Sequence, residues 1–145
     1  MILDSVVLKI KRLTTVAKLP TFAHPGDACF EIYAGQDVVV PAKGYATVPT
    51  GIASEIPEGY EVVIRPRSGL AFDHGLQVHP GTIDSGYRGE WLVQVYNHSH
   101  TSYLIQEGER IAQGALRIAP RVEIEEVDKL SESDRGERGF GSTGY

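Results

Sequence analysis

Residues 81–90 read Gly-Thr-Ile-Asp-Ser-Gly-Tyr-Arg-Gly-Glu, placing one carboxylate, Asp84, and one phenol, Tyr87, on a turn bracketed by glycines. A carboxylate held on such a turn can polarise a water molecule, and a neighbouring phenol ring can pack against a flat or sugar-like group. Gly81, Gly86 and Gly89 would let the backbone take positive φ and approach a ligand closely. The same residues also suit a plain hairpin corner in which Asp84 bonds only its own backbone. The stretch alone leaves both readings open.

Other segments carry groups suited to anions. Arg65-Pro66-Arg67-Ser68-Gly69 sets two guanidiniums just ahead of an expected helix start. Free N–H groups there, with the Ser68 hydroxyl and Arg67, would suit a phosphate; the alternative is a surface Arg beside a capping Ser. Near the C-terminus Phe140 lies among Gly139, Gly141, Ser142, Thr143 and Gly144, with Arg135 and Arg138 upstream. Amides and hydroxyls of such a strip can wrap phosphate oxygens, and the ring can stack on a base. An ordinary chain end has the same composition, and the spacing and Lys of a Walker A loop are absent. Gln113 either donates its amide to a phosphate or faces solvent. Asp27 and Glu31 either hold a water of a hydrated Mg2+ or are solvated surface charge. The five histidines show no zinc-ligand spacing.

These groups need a scaffold, and 145 residues suffice for one real core. With 14 basic and 19 acidic residues the net charge is −5, so no overall field favours nucleic acid. Cys29 is the single cysteine, which rules out an intramolecular disulfide and fits a cytoplasmic setting. The first residues do not have the form of a signal peptide, and no apolar run approaches the ~18 residues of a membrane span. The expectation is a soluble protein that engages no membrane.

The periodicity is that of strands. Runs at residues 6–13, 37–40, 45–48, 51–56, 60–65, 91–96, 103–105, 110–118 and 122–127 are rich in β-branched residues and punctuated by Gly or Pro. That pattern predicts an all-β sandwich or barrel. Turns are expected at 41–44, 57–59 and 107–109. One helix is expected from Ser68 to His74, with Ser68 capping its start and Gly75 its end. Residues 1–130 form one domain, and residues 131–145, polar and glycine-rich, form a flexible arm.

Five segments, taken together and in this order, resemble the five motifs of the trimeric dUTPase family, the deoxyuridine triphosphate nucleotidohydrolases. They are residues 25–34 (Pro-Gly-Asp-Ala-Cys-Phe-Glu-Ile-Tyr-Ala), 66–71 (Pro-Arg-Ser-Gly-Leu-Ala), 81–89, 108–113 (Gly-Glu-Arg-Ile-Ala-Gln) and 135–144. The match runs from about residue 20 to the C-terminus. The resemblance implies a jelly-roll-like β-barrel or sandwich of the β-clip kind, with one short helix. It also implies a homotrimer with shared active sites and a C-terminal arm closing over bound dUTP.

By motif position, Asp84 would be the general base for a water attacking the α-phosphate, yielding dUMP and pyrophosphate. Tyr87 would lie under the deoxyribose, and the backbone between Val78 and Ile83, Thr82 and Ile83 included, would read the uracil edge. Arg67, Ser68, Gly69 and Gln113 would contact phosphates, joined from the arm by Arg135, Gly141, Ser142 and Thr143. Phe140 would stack on uracil, and Glu31 would reach Mg2+ through water. Such an activity keeps uracil out of DNA and supplies dUMP for thymidylate synthesis. Phosphoryl transfer needs positioning and charge neutralisation more than covalent help, so this set is chemically adequate.

Three departures stand out. Glu31 occupies a slot where the family usually has Asp, the third motif is short and lacks its usual Asn, and Arg138 replaces a common Gly. The nearest rival, a dCTP deaminase or bifunctional deaminase–diphosphatase, places a catalytic Glu where this chain has Gln94 and an Arg where it has Phe72. Gln is no carboxylate base, so deamination is not expected. A regulatory trimer that binds nucleotide without turnover is the non-enzymatic alternative.

Overall fold

The computed structural model describes residues 4–144. Among these, eleven strands and one helix follow in the order β1 (Lys9–Arg12), β2 (Phe30–Tyr33), β3 (Val38–Val40), β4 (Tyr45–Pro49), β5 (Ile52–Glu55), β6 (Tyr60–Arg65), α1 (Ser68–His74), β7 (Leu76–Val78), β8 (Gly81–Ile83), β9 (Leu92–Asn97), β10 (Tyr103–Ile105) and β11 (Arg110–Ile118). All pairings are antiparallel. A four-stranded sheet runs β2-β11-β6-β8, a three-stranded sheet runs β4-β9-β7, and β1-β5 and β3-β10 form two-stranded ribbons. This is the mostly-β architecture with one short helix that the periodicity predicts.

Alternation explains the layering, because side chains on a strand point to opposite faces in turn. On β6, Val62 and Ile64 turn inward; on β9, Val93 and Val95 do so while Leu92, Gln94 and Tyr96 face out. Inward residues of the two larger sheets join one cluster with Phe30, Ile32, Leu76, Val78 and Trp91. Trp91 is buried and its indole N–H donates to the Ser54 hydroxyl at 3.0 Å, so the ring enters the core without an orphaned donor.

The turns form as expected. Pro57 O accepts Tyr60 N–H at 3.1 Å around Gly59, and Pro41 O accepts Gly44 N–H at 3.0 Å. Gly75 ends α1 in the left-handed region at φ 67°, where a side chain would be strained. The start of α1 differs from expectation. The extended residue ahead of the helix is Arg67, at φ −101° and ψ 134°, with no side-chain cap, and Ser68 is already helical. Pro66 keeps the chain extended at Arg65, and the turn into the helix falls one residue earlier than a Ser68 cap would place it.

Residues 122–127 form no strand. Val122, Ile124 and Val127 are exposed, because a strand requires a ladder partner and this chain offers none there. Conversely β2, β7 and β8 are strands that the periodicity did not single out.

Gly114 lies opposite Phe30 in the β2–β11 ladder, and a Cβ there would sit 2.7 Å from the ring Cζ and 3.2 Å from Cδ2. Phe30 is locked in the core, edge-on to Phe22 and stacked on Trp91, so the ring cannot step aside. We expect Gly114→Ala to destabilise the fold by about 1–3 kcal/mol in urea denaturation. Phe30→Leu should recover part of that loss, and full stability of Gly114→Ala would contradict the packing described.

Candidate active site

The sheet β2-β11-β6-β8 carries the groups of interest at two separate ends. At one end the ladder aligns Glu31 with Gln113 and Gln113 with Arg65. Residues directly opposite in antiparallel strands share a face, so these polar groups form one row. Glu31 is buried, and Gln113 Nε2 donates to its Oε1 at 3.3 Å. Arg67, two residues past the end of β6, brings Nε to 3.0 Å from Glu31 Oε2. That N–H is not aimed along the hydrogen-bond direction, so the contact is a charge pair. Arg67 Nη1 also donates to the Arg110 carbonyl at 3.4 Å. Ser68 and Gly69 follow directly at the exposed start of α1.

The structure thus gives Glu31 a different surrounding from the one the sequence suggested. Its extra methylene carries the carboxylate against Arg67 and Gln113, and it is not solvated surface charge. Asp27 is exposed and accepts the His24 N–H at 2.9 Å. Among the described residues no three His, Cys, Asp or Glu side chains come together to hold a metal. The donor set therefore does not fit a magnesium site built from protein alone.

At the other end, β8 runs into the turn that carries Asp84. Tyr87 N–H donates to Asp84 O at 3.1 Å, which closes the turn through backbone. The Asp84 carboxylate is exposed and has no hydrogen-bond or ion-pair partner among the described residues, unlike the self-bonded corner. Tyr87 donates its hydroxyl to Glu90 O at 2.8 Å, and Arg88 Nη1 donates to Ser85 O at 2.6 Å. None of Gly81, Gly86 and Gly89 takes positive φ, contrary to expectation. Gly89 is instead needed for space, since a Cβ there would collide with the Tyr87 ring. Thr82, Ile83, Asp84, Tyr87, Glu90 and Leu92 line a cavity of about 200 Å³.

Glu90 and Arg88 had no assigned role in the sequence. Glu90 Oε2 accepts the Gly51 N–H at 2.9 Å, tying the turn to β5. Glu55, at the end of β5, bonds Lys9 at 2.9 Å and lies 3.8 Å from Arg88. The Lys9 hydrogen bond and charge, with Arg88 behind them, hold the Glu55 carboxyl below its ordinary range.

The two ends are far apart. Ile83 faces Val62 across the β6–β8 ladder, whereas Arg67 lies five residues beyond Val62. At ~3.3 Å per residue the Asp84 end and the Arg67 end are roughly 16 Å apart. Arg135, Phe140, Gly141, Ser142 and Thr143 are exposed and join neither end. A basic cleft of about 670 Å³, lined in part by Arg12, Lys18, Tyr33 and Arg110, lies beside the Glu31–Arg67 cluster. Its lining holds no carboxylate base, so the smaller Asp84 cavity is the better seat for water activation. Gln94 accepts the Thr47 hydroxyl at 2.7 Å, and Phe72 is exposed on α1; neither supplies the groups a deaminase needs.

Comparison with known proteins is consistent with this geometry. The family model for dUTPase matches residues 15–144. A deoxyuridine 5'-triphosphate nucleotidohydrolase of Clostridium tetani is 47% identical over 139 residues, covering 94% of this chain and 96% of its own. One from Nautilia profundicola is 48% identical over 139 residues, with coverages of 94% and 98%. Among solved structures, a Staphylococcus bacteriophage 80alpha dUTPase with dUPNHPP superposes with a TM-score of 0.91 at 30% identity, covering 97% of this chain and 100% of that one. A family-model match over most of the chain and near full-length similarity to these relatives lead to one conclusion: the chain belongs to the dUTPase family.

Proposed function

We propose that this chain hydrolyses dUTP to dUMP and pyrophosphate, with Asp84 as general base. The observation that carries this reading is the unpartnered Asp84 carboxylate in a small cavity beside Tyr87. A carboxylate without an internal partner keeps its lone pairs available for a water. The water oxygen attacks the α-phosphorus, its proton passes to Asp84, and the bond to the bridging oxygen breaks as pyrophosphate leaves. Tyr87, fixed through Glu90 O, packs against the deoxyribose, and the Thr82–Ile83 backbone faces the base.

Charge on the triphosphate falls to Arg67, Ser68, Gly69 and Gln113. Arg67 and Gln113 are held by Glu31 before substrate arrives, so little ordering remains to be done on binding. Magnesium, held by the triphosphate, would supply charge neutralisation there; among the described residues no His, Cys, Asp or Glu cluster forms a cage for it. Removal of dUTP and supply of dUMP for thymidylate synthesis follow from this chemistry. We place the protein in the cytoplasm; among its described residues no helix is long and apolar enough to cross a membrane.

A single chain cannot bring Asp84 and Arg67 to one triphosphate, because β6 holds them at opposite ends. This supports a homotrimer in which each site takes Asp84 from one protomer and Arg67 from another. The exposed Val122, Ile124 and Leu130 on the segment after β11 supply apolar surface for a neighbour. Residues 1–130 would then be the shared body and 131–145 the arm that brings Arg135, Phe140, Gly141, Ser142 and Thr143 to the nucleotide.

Asp84→Asn should still bind a non-hydrolysable dUTP analogue while turnover falls on the order of 10²–10⁴-fold; unchanged turnover would remove Asp84 from the mechanism. Against dUTP, dCTP, dTTP and UTP with Mg2+, pyrophosphate release should favour dUTP, with no ammonia from dCTP. Truncation of residues 131–145 should lower kcat/KM at least tenfold with the thermal transition retained. Mixing Asp84→Asn and Arg67→Ala chains during refolding should restore part of the wild-type rate. Two inactive parents that give an inactive mixture would exclude shared sites.

A further inference from the structure

We propose that Tyr103 and Glu109 form a positioning pair that sets the phosphate-binding end of the site; this rests on the dUTP hydrolysis argued above. Neither residue touches the cluster of Glu31, Arg67 and Gln113, yet together they tie down the segments from which that cluster projects. Tyr103, half-buried at the start of β10, donates its hydroxyl to Glu109 Oε1 at 2.5 Å. Glu109 Oε2 accepts the Gln106 N–H at 2.9 Å, and the Glu109 N–H donates to Gln106 O at 3.0 Å. Both carboxylate oxygens are thus engaged in closing the turn that launches β11 toward Gln113.

The same turn is bolted to the strand that carries Glu31. Glu109 O accepts the Ala34 N–H and Ala34 O accepts the Gly108 N–H, each at 2.8 Å, one residue beyond the end of β2. On its other side the Tyr103 ring packs against His74, with centroids 4.8 Å apart. His74 ends the helix whose start follows Arg67. The phenol–carboxylate bond fixes Tyr103 to the turn before β11, while the Tyr103 ring reaches α1 through His74 and the same turn reaches β2 through the backbone of Ala34, so the pair lies where the three elements that hold Glu31, Arg67 and Gln113 are joined. Burial first, then the Glu109 hydrogen bond, pushes the Tyr103 phenol up to about 12, so it remains a donor at neutral pH.

The contact sits on the phosphate side and away from the Asp84 cavity, so its loss should weaken grip on the triphosphate and leave the chemical step intact. Tyr103→Phe keeps the ring on His74 and removes only the O–H. We expect KM for dUTP to rise about tenfold, the scale of one hydrogen bond to a charged group, with kcat within twofold. The inhibition constant of dUMP, which lacks the outer phosphates, should stay within twofold. Glu109→Ala should raise KM at least as much, Glu109→Gln, whose single amide oxygen can accept from only one of Tyr103 O–H and Gln106 N–H, should recover KM in part, and Tyr103→Phe with Glu109→Ala should be no worse than Glu109→Ala alone.

A role in general stability alone predicts otherwise: a lower Tm, with kcat and dUMP affinity falling together, and additive single effects. Either that outcome or an unchanged KM in Tyr103→Phe overturns the inference. Should Tyr103→Phe not fold, the contrast between Glu109→Gln and Glu109→Ala decides it. A wild-type protein that releases no pyrophosphate from dUTP removes the proposed activity and this role together. Wild-type turnover with an unmoved KM removes this role only.

Discussion

Strand β6 is hydrogen-bonded on both edges, to β11 on one side and β8 on the other, and that double ladder governs everything the site can do. A strand paired on two edges cannot slide, because a one-residue slip would turn Val62 and Ile64 out of the core and drive Val63 and Arg65 into it. The register therefore locks Gln113 beside Arg65 and Ile83 beside Val62. Whatever lies beyond Ile83 is held at one end of β6, and whatever lies beyond Arg65 is held at the other. No rotamer change spans that interval. The separation of base and guanidinium is a property of the backbone, and it makes self-association a requirement of the proposed chemistry.

The two ends meet their electrostatic demands in opposite ways. Burying the Glu31 carboxylate is costly unless its oxygens are engaged, and Arg67 and Gln113 engage them. In return the pair fixes the direction of the Arg67 side chain, which is what a phosphate-binding cation needs. Asp84 has no such company and keeps its hydration until substrate arrives. A base held by an Arg would be a weaker base. Each environment suits the task proposed for it.

Much of this was legible in the sequence, where a physical period or a fixed turn chemistry was long enough to register. The alternation of β6 and β9, the αL glycine after α1 and the turns around Gly59 and Gly108 all fall where residue type demands. Strands β2, β7 and β8 are short and broken by Glu31, Gln77 or Gly81, whereas β3 and β10, just as short, stand out as unbroken apolar runs. Residues 122–127 have a strand's composition, but pairing depends on a partner that a single chain does not contain. The candidate site residues were named one by one from the resemblance of the motifs; their division between two ends could not be, because it arises from register. The burial of Glu31 was hidden for a related reason: taken alone its type suits solvated surface charge, whereas its neighbours Arg67 and Gln113 lie 36 and 82 positions away.

Arg138, without a role in the sequence, illustrates how the arm resolves a difficulty of its own. A glycine-rich segment with few apolar residues has little to organise it. Here Arg135 Nε donates to Arg138 O at 2.8 Å, Arg138 Nε returns a bond to Arg135 O at 3.0 Å, and Arg138 Nη2 reaches Asp134 O at 2.8 Å. Gly136 takes φ 58° inside this loop, a conformation that a side chain would resist. The two guanidiniums therefore bond to local carbonyls instead of to solvent alone, and the chain is bent ahead of Phe140. For the arm to serve a nucleotide as proposed, Arg135 would exchange a carbonyl for a phosphate, trading a neutral acceptor for an ionised one. Both bonds have an ionised donor, but only a phosphate adds an opposite charge and a geometry that the guanidinium fork can meet with two N–H groups, so the exchange favours the phosphate. The arm's resting bonds are then weak enough to yield to a triphosphate.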